Sequence, residues 1–196
     1  MKKLLIFLFC SAMAFAQKDL ASAEKFQSEL NQSYADSLKS PLMKEDLKHF
    51  QGLDFFSLNE KFIVEATFIR TKKEKPFGMK TTTSRTPLYK KYSELHFKID
   101  DKAFKLNVYQ NVDLNKKTGY EDYLFLPFSD LTCGKESYIG GRYVDMRIQK
   151  GKTWTIDFNK AYNPYCAYNY EYSCPIVPLE NDLNIEILAG VKKFHD

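Results

Sequence analysis

The chain has 196 residues, of which 44% are hydrophobic, 28% charged and 15% aromatic, and its 29 basic against 25 acidic residues give a net charge of +4. This composition excludes a disordered chain, a fibre and a multi-span membrane protein, and the length suits one domain rather than two. A charge so nearly balanced, without a clustered basic face, also speaks against a nucleic-acid partner.

Residues 1–16 read as a secretory signal. Lys2 and Lys3 form a short basic region, an apolar run follows to Phe15, and Ala14-Phe15-Ala16 supplies small cleavage-site residues before Gln17. The run is too short for a bilayer, which needs about 20 apolar residues. Phe9 is too bulky for a lipidation box at Cys10. Cleavage after Ala16 removes Lys2 and Lys3, lowering the net charge to +2. The mature chain is then expected in the periplasm or outside the cell, with no membrane span. Its densest basic run, Lys72-Lys73-Glu74-Lys75, contains an acid and reads as a solvated loop.

Residues 17–52 read as a helical segment. Leu20, Ala23, Phe26, Leu30, Tyr34 and Leu38 recur at helical spacing, predicting a helix over about 19–39. Ser40 and Pro41 suit the cap and first turn of a shorter helix through Phe50, ended by Gly52. From residue 61 the period falls to two. Phe62, Val64, Ala66 and Phe68 alternate with other residues, as do Leu95, Phe97 and Ile99, then Phe104, Leu106 and Val108. The same pattern recurs in Val144, Met146 and Ile148, in Trp154, Ile156 and Phe158, and in Leu183, Ile185 and Ile187. Such alternation predicts a mainly β fold over residues 53–196: an antiparallel sheet, as barrel or sandwich, carrying the N-terminal α-helical segment in one globular domain.

Two hairpins follow from the rule that opposed residues share a face. Pairing Ile99 with Phe104 and Phe97 with Leu106 centres one reversal on Asp101-Lys102. Pairing Val144 with Ile156 and Met146 with Trp154 leaves Gln149-Lys150-Gly151 as a three-residue loop, with Gly151 left-handed. Residues 71–92 and 110–122 read as polar connections.

No phosphate-binding glycine loop, zinc-protease helix, nucleophile elbow or paired-cysteine motif is present. His49, His96 and His195 lie far apart, so no metal centre or cofactor is expected. Three cysteines remain after cleavage. In an oxidising compartment Cys166 and Cys174, which bracket a short loop, are the natural disulfide, leaving Cys133 unpaired. The stretch 157–182 carries Tyr162, Tyr165, Tyr168, Tyr170 and Tyr172. Tyrosine offers a flat apolar face with a hydroxyl at its edge, which suits sugar rings or peptide surfaces.

The runs LFLPFSDLTCGKESYIGGRYVD and DFNKAYNPYCAYNYEYSCPIVPLENDLNIEILAG resemble the bacterial family called domain of unknown function 1684. The resemblance rests on Gly141-Arg142-Tyr143, Asp157 to Asn159, Ala161 to Pro164, Cys166 to Tyr168, Cys174-Pro175 and Glu180-Asn181. It implies no biochemical activity; it marks where to look.

Arg142 shares the strand parity of Val144 and Met146 and so points to the core, where a guanidinium needs a partner. Asp157 has the opposite parity, which makes Glu180 the expected carboxylate. The candidate ligand-binding set is Arg142, Tyr143, Asp157, Asn159, Tyr162, Asn163, Tyr168, Glu180 and Asn181. The leading expectation is an exported, non-catalytic binding domain for a small molecule, a glycan or an envelope protein. The alternative is a hydrolase or lyase using Asp157, Glu180 and Arg142.

Overall fold

The computed structural model describes residues 19–195. The expected signal, 1–16, lies outside the described residues. Helix α1 spans Leu20–Ala35, with Asp19 Oδ1 accepting the Ser22 N–H at its start. It stops earlier than the apolar spacing suggests. Asp36 takes the Leu38 N–H on its own carboxylate, an Asx turn that competes with the helix, and Leu38 is 93% exposed. Pro41 does not open a helix either. Ser40 Oγ accepts the Leu42 N–H, and α2 covers only Lys44–His49. Gly52, with φ +141°, lies beyond its C-cap, Phe50.

The remainder is mainly antiparallel β. The strands are β1 (Ile63–Arg70), β2 (Phe77–Gly78), β3 (Leu88–Ile99), β4 (Lys102–Asn111), β5 (Tyr123–Asp130), β6 (Arg142–Arg147), β7 (Thr153–Asp157) and β8 (Asp182–Leu183). The sheet runs β6-β5-β4-β3-β1-β7, with β2 beside β3 and β8 parallel to β5. The alternating residues fall where expected: Val64, Ala66, Leu95, Phe97, Leu106, Val108, Val144, Trp154 and Ile156 share one buried core.

Both predicted hairpins need correction. The first turns one residue earlier, which shifts each partner by two. Ile99 pairs with Lys102 and Phe97 with Phe104, and Asp100 and Asp101 both take positive φ. Aspartate tolerates that region, and a two-residue turn with both φ positive matches the twist of the strands it joins. The second hairpin does not form. β6 pairs with β5 and β7 with β1, so the two strands are opposite edges of the sheet. Five residues, 148–152, join them. That link reaches about 20 Å at most, while six flat strands put their edges about 24 Å apart. The sheet therefore curls, and both edges feed the same core. Within the link, Gly151 is left-handed as predicted, with φ +82°. The Gln149 side-chain amide accepts the Thr155 N–H at 2.8 Å and donates to the Thr155 carbonyl at 2.9 Å, so it stands in for a strand at the β7 edge.

Strand β5 carries no alternation because both its faces are covered. Leu124, Leu126 and Phe128 enter the main core, and Phe125 enters a second cluster with Met79, Tyr89, Tyr109 and Tyr143. The expected C-terminal strand shrinks to Asp182–Leu183. Beyond it Ile185 and Ala189 donate to carbonyls two residues back, which breaks the extended run.

Candidate functional site

The second cluster lies on the outer face of the sheet, and it exists because β3 carries a bulge. Register slips between Lys91 and Ser93, so Tyr89 shares a face with Asn111 and Tyr109, opposite to Leu95. Next to it β5 supplies Tyr123 and Phe125, and β6 supplies Tyr143 and Asp145, with Phe125 directly opposite Asp145. The tyrosine-rich segment folds over this face. Tyr143 and Tyr162 exchange both backbone hydrogen bonds at 2.9 Å, and Ile176 and Thr82 tie the segment to residues 80–82. Helix α1 closes the roof with Phe26 and Leu30. The space between them is a partly open cavity of about 340 Å³, within the range of small-ligand pockets.

Aromatic rings line most of it, and among the described residues Asp145 is its one charged lining residue. Asp145 Oδ1 accepts both the Tyr123 hydroxyl at 2.7 Å and the Tyr162 hydroxyl at 2.6 Å. Asp145 is exposed to solvent through the cavity mouth, with aromatic rings packed around it. Desolvation pushes its carboxyl above the ordinary aspartate value, against the two hydroxyl donors that lower it. The nearby cation, Arg147, is occupied by Asp122 Oδ1 and the Gly119 carbonyl, each at 2.6 Å. Burial likewise raises the Tyr89, Tyr123, Tyr143 and Tyr162 phenols, which stay protonated donors at neutral pH.

Cys174 also lines the cavity. Its sulfur accepts the Cys166 N–H at 3.2 Å. The hydrogen bond from the Cys174 thiol holds the Cys166 thiol down at about 6, and the same bond pushes Cys174 up. The expected disulfide is not formed in this structure: Cys166, Cys174 and Cys133 are free thiols, the first two side by side.

Residues 48–192 match the family described as protein of unknown function (DUF1684). The chain belongs to this family. The match carries no restriction to bacteria. Among solved structures, the chain is similar to an uncharacterised protein of Haloarcula marismortui determined in solution by NMR. The two are 30% identical, with a TM-score of 0.69, over 88% of this chain and 92% of that one. No curated protein matches the chain.

The residues of the family motif separate into two groups. Tyr143, Tyr162, Pro164, Cys174 and Pro175 line the cavity. The other polar motif residues lie elsewhere, most of them holding the fold. Arg142 is fully buried on the core side, as its parity predicts, but its partner is not Glu180. Nη2 donates to Asp130 Oδ2 at 2.6 Å, to Thr132 Oγ1 at 3.3 Å and to the Ile187 carbonyl at 2.9 Å. Nη1 donates to the carbonyls of Ala189 and Val191. Glu180 is exposed in a short turn beside β4 and β5. Asp157 caps the turn after β7 through the Asn159 N–H and lies 3.6 Å from Lys160 Nζ. Asn159 ties β7 to both Asn59 backbone groups, and Asn163 donates to the Lys192 carbonyl. Asn181 bonds both backbone groups of Asn107 and the Pro127 carbonyl. Tyr168 packs edge-on against Tyr34, 5.0 Å between ring centres. Asp145, Tyr89, Tyr123 and Phe125 are among the residues sequence reasoning missed. Asp145 alternates with core residues and so reads as solvent-facing; the one signal was its neighbour Tyr143.

No helix among the described residues is long and apolar enough to cross a membrane, and no group of three His, Cys, Asp or Glu among them is placed to hold a metal ion.

Proposed function

We propose that this protein is an exported, non-catalytic binding domain whose ligand is a small molecule held in the cavity between the outer sheet face, α1 and the tyrosine-rich segment. The observation that carries this reading is the cavity itself: aromatic walls, one carboxylate with no ion-pair partner among the described residues, and about 340 Å³ of space. A space of that size favours a small molecule over a glycan chain or a protein surface. The enzyme alternative finds less support. Arg142 and Asp157 are engaged by their own chain, Glu180 faces outward, and none of the three lines this cavity.

Export rests on the signal-like residues 1–16. The adjacency of Cys166 and Cys174 supports it, because an oxidising compartment would close that pair beside the cavity. Intact-mass analysis of secreted or periplasmic material should show Gln17 as the first residue. Non-reducing peptide mapping should find Cys166 joined to Cys174 and Cys133 free. Retention of Met1, or a bridge to Cys133, overturns the respective expectation. For the binding reading, protein purified from its own cells without denaturation should carry a small ligand in native mass spectrometry. Tyr162→Ala should lose it. A ligand that survives this substitution sits elsewhere.

A further inference from the structure

The cavity joins two features that neutral ligands do not need together. Asp145 projects into it with Oδ1 taken by two tyrosine hydroxyls, so Oδ2 and most of the negative charge remain for an occupant. Tyr89, Tyr123, Tyr162 and Tyr165 line the same cavity, and the Asp145 charge helps raise all four phenols. Tyr143 and Phe125 stand edge-to-face, 4.7 Å apart, and complete the wall. The faces of aromatic rings carry negative potential and attract cations, most strongly where water is excluded. The nearby guanidinium, Arg147, forms its ion pair with Asp122 at the sheet margin, and its charge reaches Asp145 without an ion pair. A carboxylate with no ion-pair partner among the described residues, set among aromatic walls, offers an entering cation both opposite charge and ring faces.

We infer that the cavity binds an alkylated ammonium group, with Asp145 supplying charge and the tyrosine rings the cage. This rests on the binding reading above and names its ligand class. The soluble cation and a lipid headgroup of the same chemistry are the two sources such a group has.

The test compares choline with 3,3-dimethylbutan-1-ol, which has the same shape and no charge, by calorimetric titration of the purified protein. Choline should bind at least about tenfold more tightly, and its N-methyl protons should move upfield on binding from the ring currents of the cage. Asp145→Asn should weaken choline at least about tenfold and the neutral alcohol far less. Equal affinity for the two probes, or an unaffected Asp145→Asn protein, overturns the cationic assignment while leaving the cavity a binding site. Failure of both probes overturns the ligand class as well; the binding reading is then judged by the ligand carried over from cells. Phosphatidylcholine vesicles form the second arm. Cosedimentation that free choline abolishes assigns the site to a lipid headgroup, and choline binding without cosedimentation assigns it to a soluble cation.

Discussion

Arg142 and Asp145 lie three residues apart on one strand, on opposite faces of the sheet, and the chain treats their charges in opposite ways. Arg142 meets a carboxylate, a hydroxyl and three carbonyls, with the Phe128 ring 5.3 Å from its guanidinium carbon. Asp145 meets two hydroxyls on one oxygen and no ion-pair partner among the described residues. A buried charge answered by its own chain belongs to the architecture. One left unanswered in a cavity awaits something from outside. Charges on one strand therefore need not share one role.

Substitutions sharpen this contrast. The largest effect belongs to Arg142→Ala, which strands Asp130 and the carbonyls of residues 187–191; chemical denaturation should show a loss of about 3–5 kcal/mol. A loss under about 1 kcal/mol would mean that the clasp is not structural. Asn181→Ala removes three bonds to Asn107 and Pro127 and should cost about 2–3 kcal/mol without changing any ligand affinity. An affinity change there would move Asn181 to the functional side. Gln149→Ala uncovers the β7 edge; the expected loss is about 1 kcal/mol, with more self-association in light scattering.

Asp145→Asn should cost nothing in stability at pH 7. The folded aspartate has a raised pKa, so its stabilising contribution is present below the unfolded pKa and is lost as pH rises through the folded value. The variant should therefore melt at or above the native temperature at pH 7, and any advantage should vanish on acidification. The groups facing Asp145 are Tyr89, Tyr123, Tyr162, Tyr165 and Arg147, and none of them titrates between pH 4 and pH 7. A large fall in melting temperature at neutral pH would place Asp145 beside Arg142 as a structural residue.

The strands with one wet face were legible in the sequence, because burial on one side writes a period of two. β5 was not, because two-sided burial erases that period, and Pro127 within it argues against a strand. The parity of Arg142 was legible. Its partner was not, because Asp130 reaches it only through the pairing of β5 with β6. The cavity was hidden for a similar reason. Tyr89 reaches the outer face through a bulge that no pattern announces, and a lone aspartate between core residues looks like an ordinary surface charge until a segment folds over it.

The Arg142 clasp also orders events in time. Its carbonyl acceptors belong to Ile187, Ala189 and Val191, while Arg142 and Asp130 are synthesised well before them. Until residues 187–191 arrive, a guanidinium inside the nascent core has too few acceptors, and the core cannot close around it. The closed core therefore needs residues 187–191 in place. A chain without residues 187–191 would leave Arg142 with only Asp130 and Thr132 as hydrogen-bond partners.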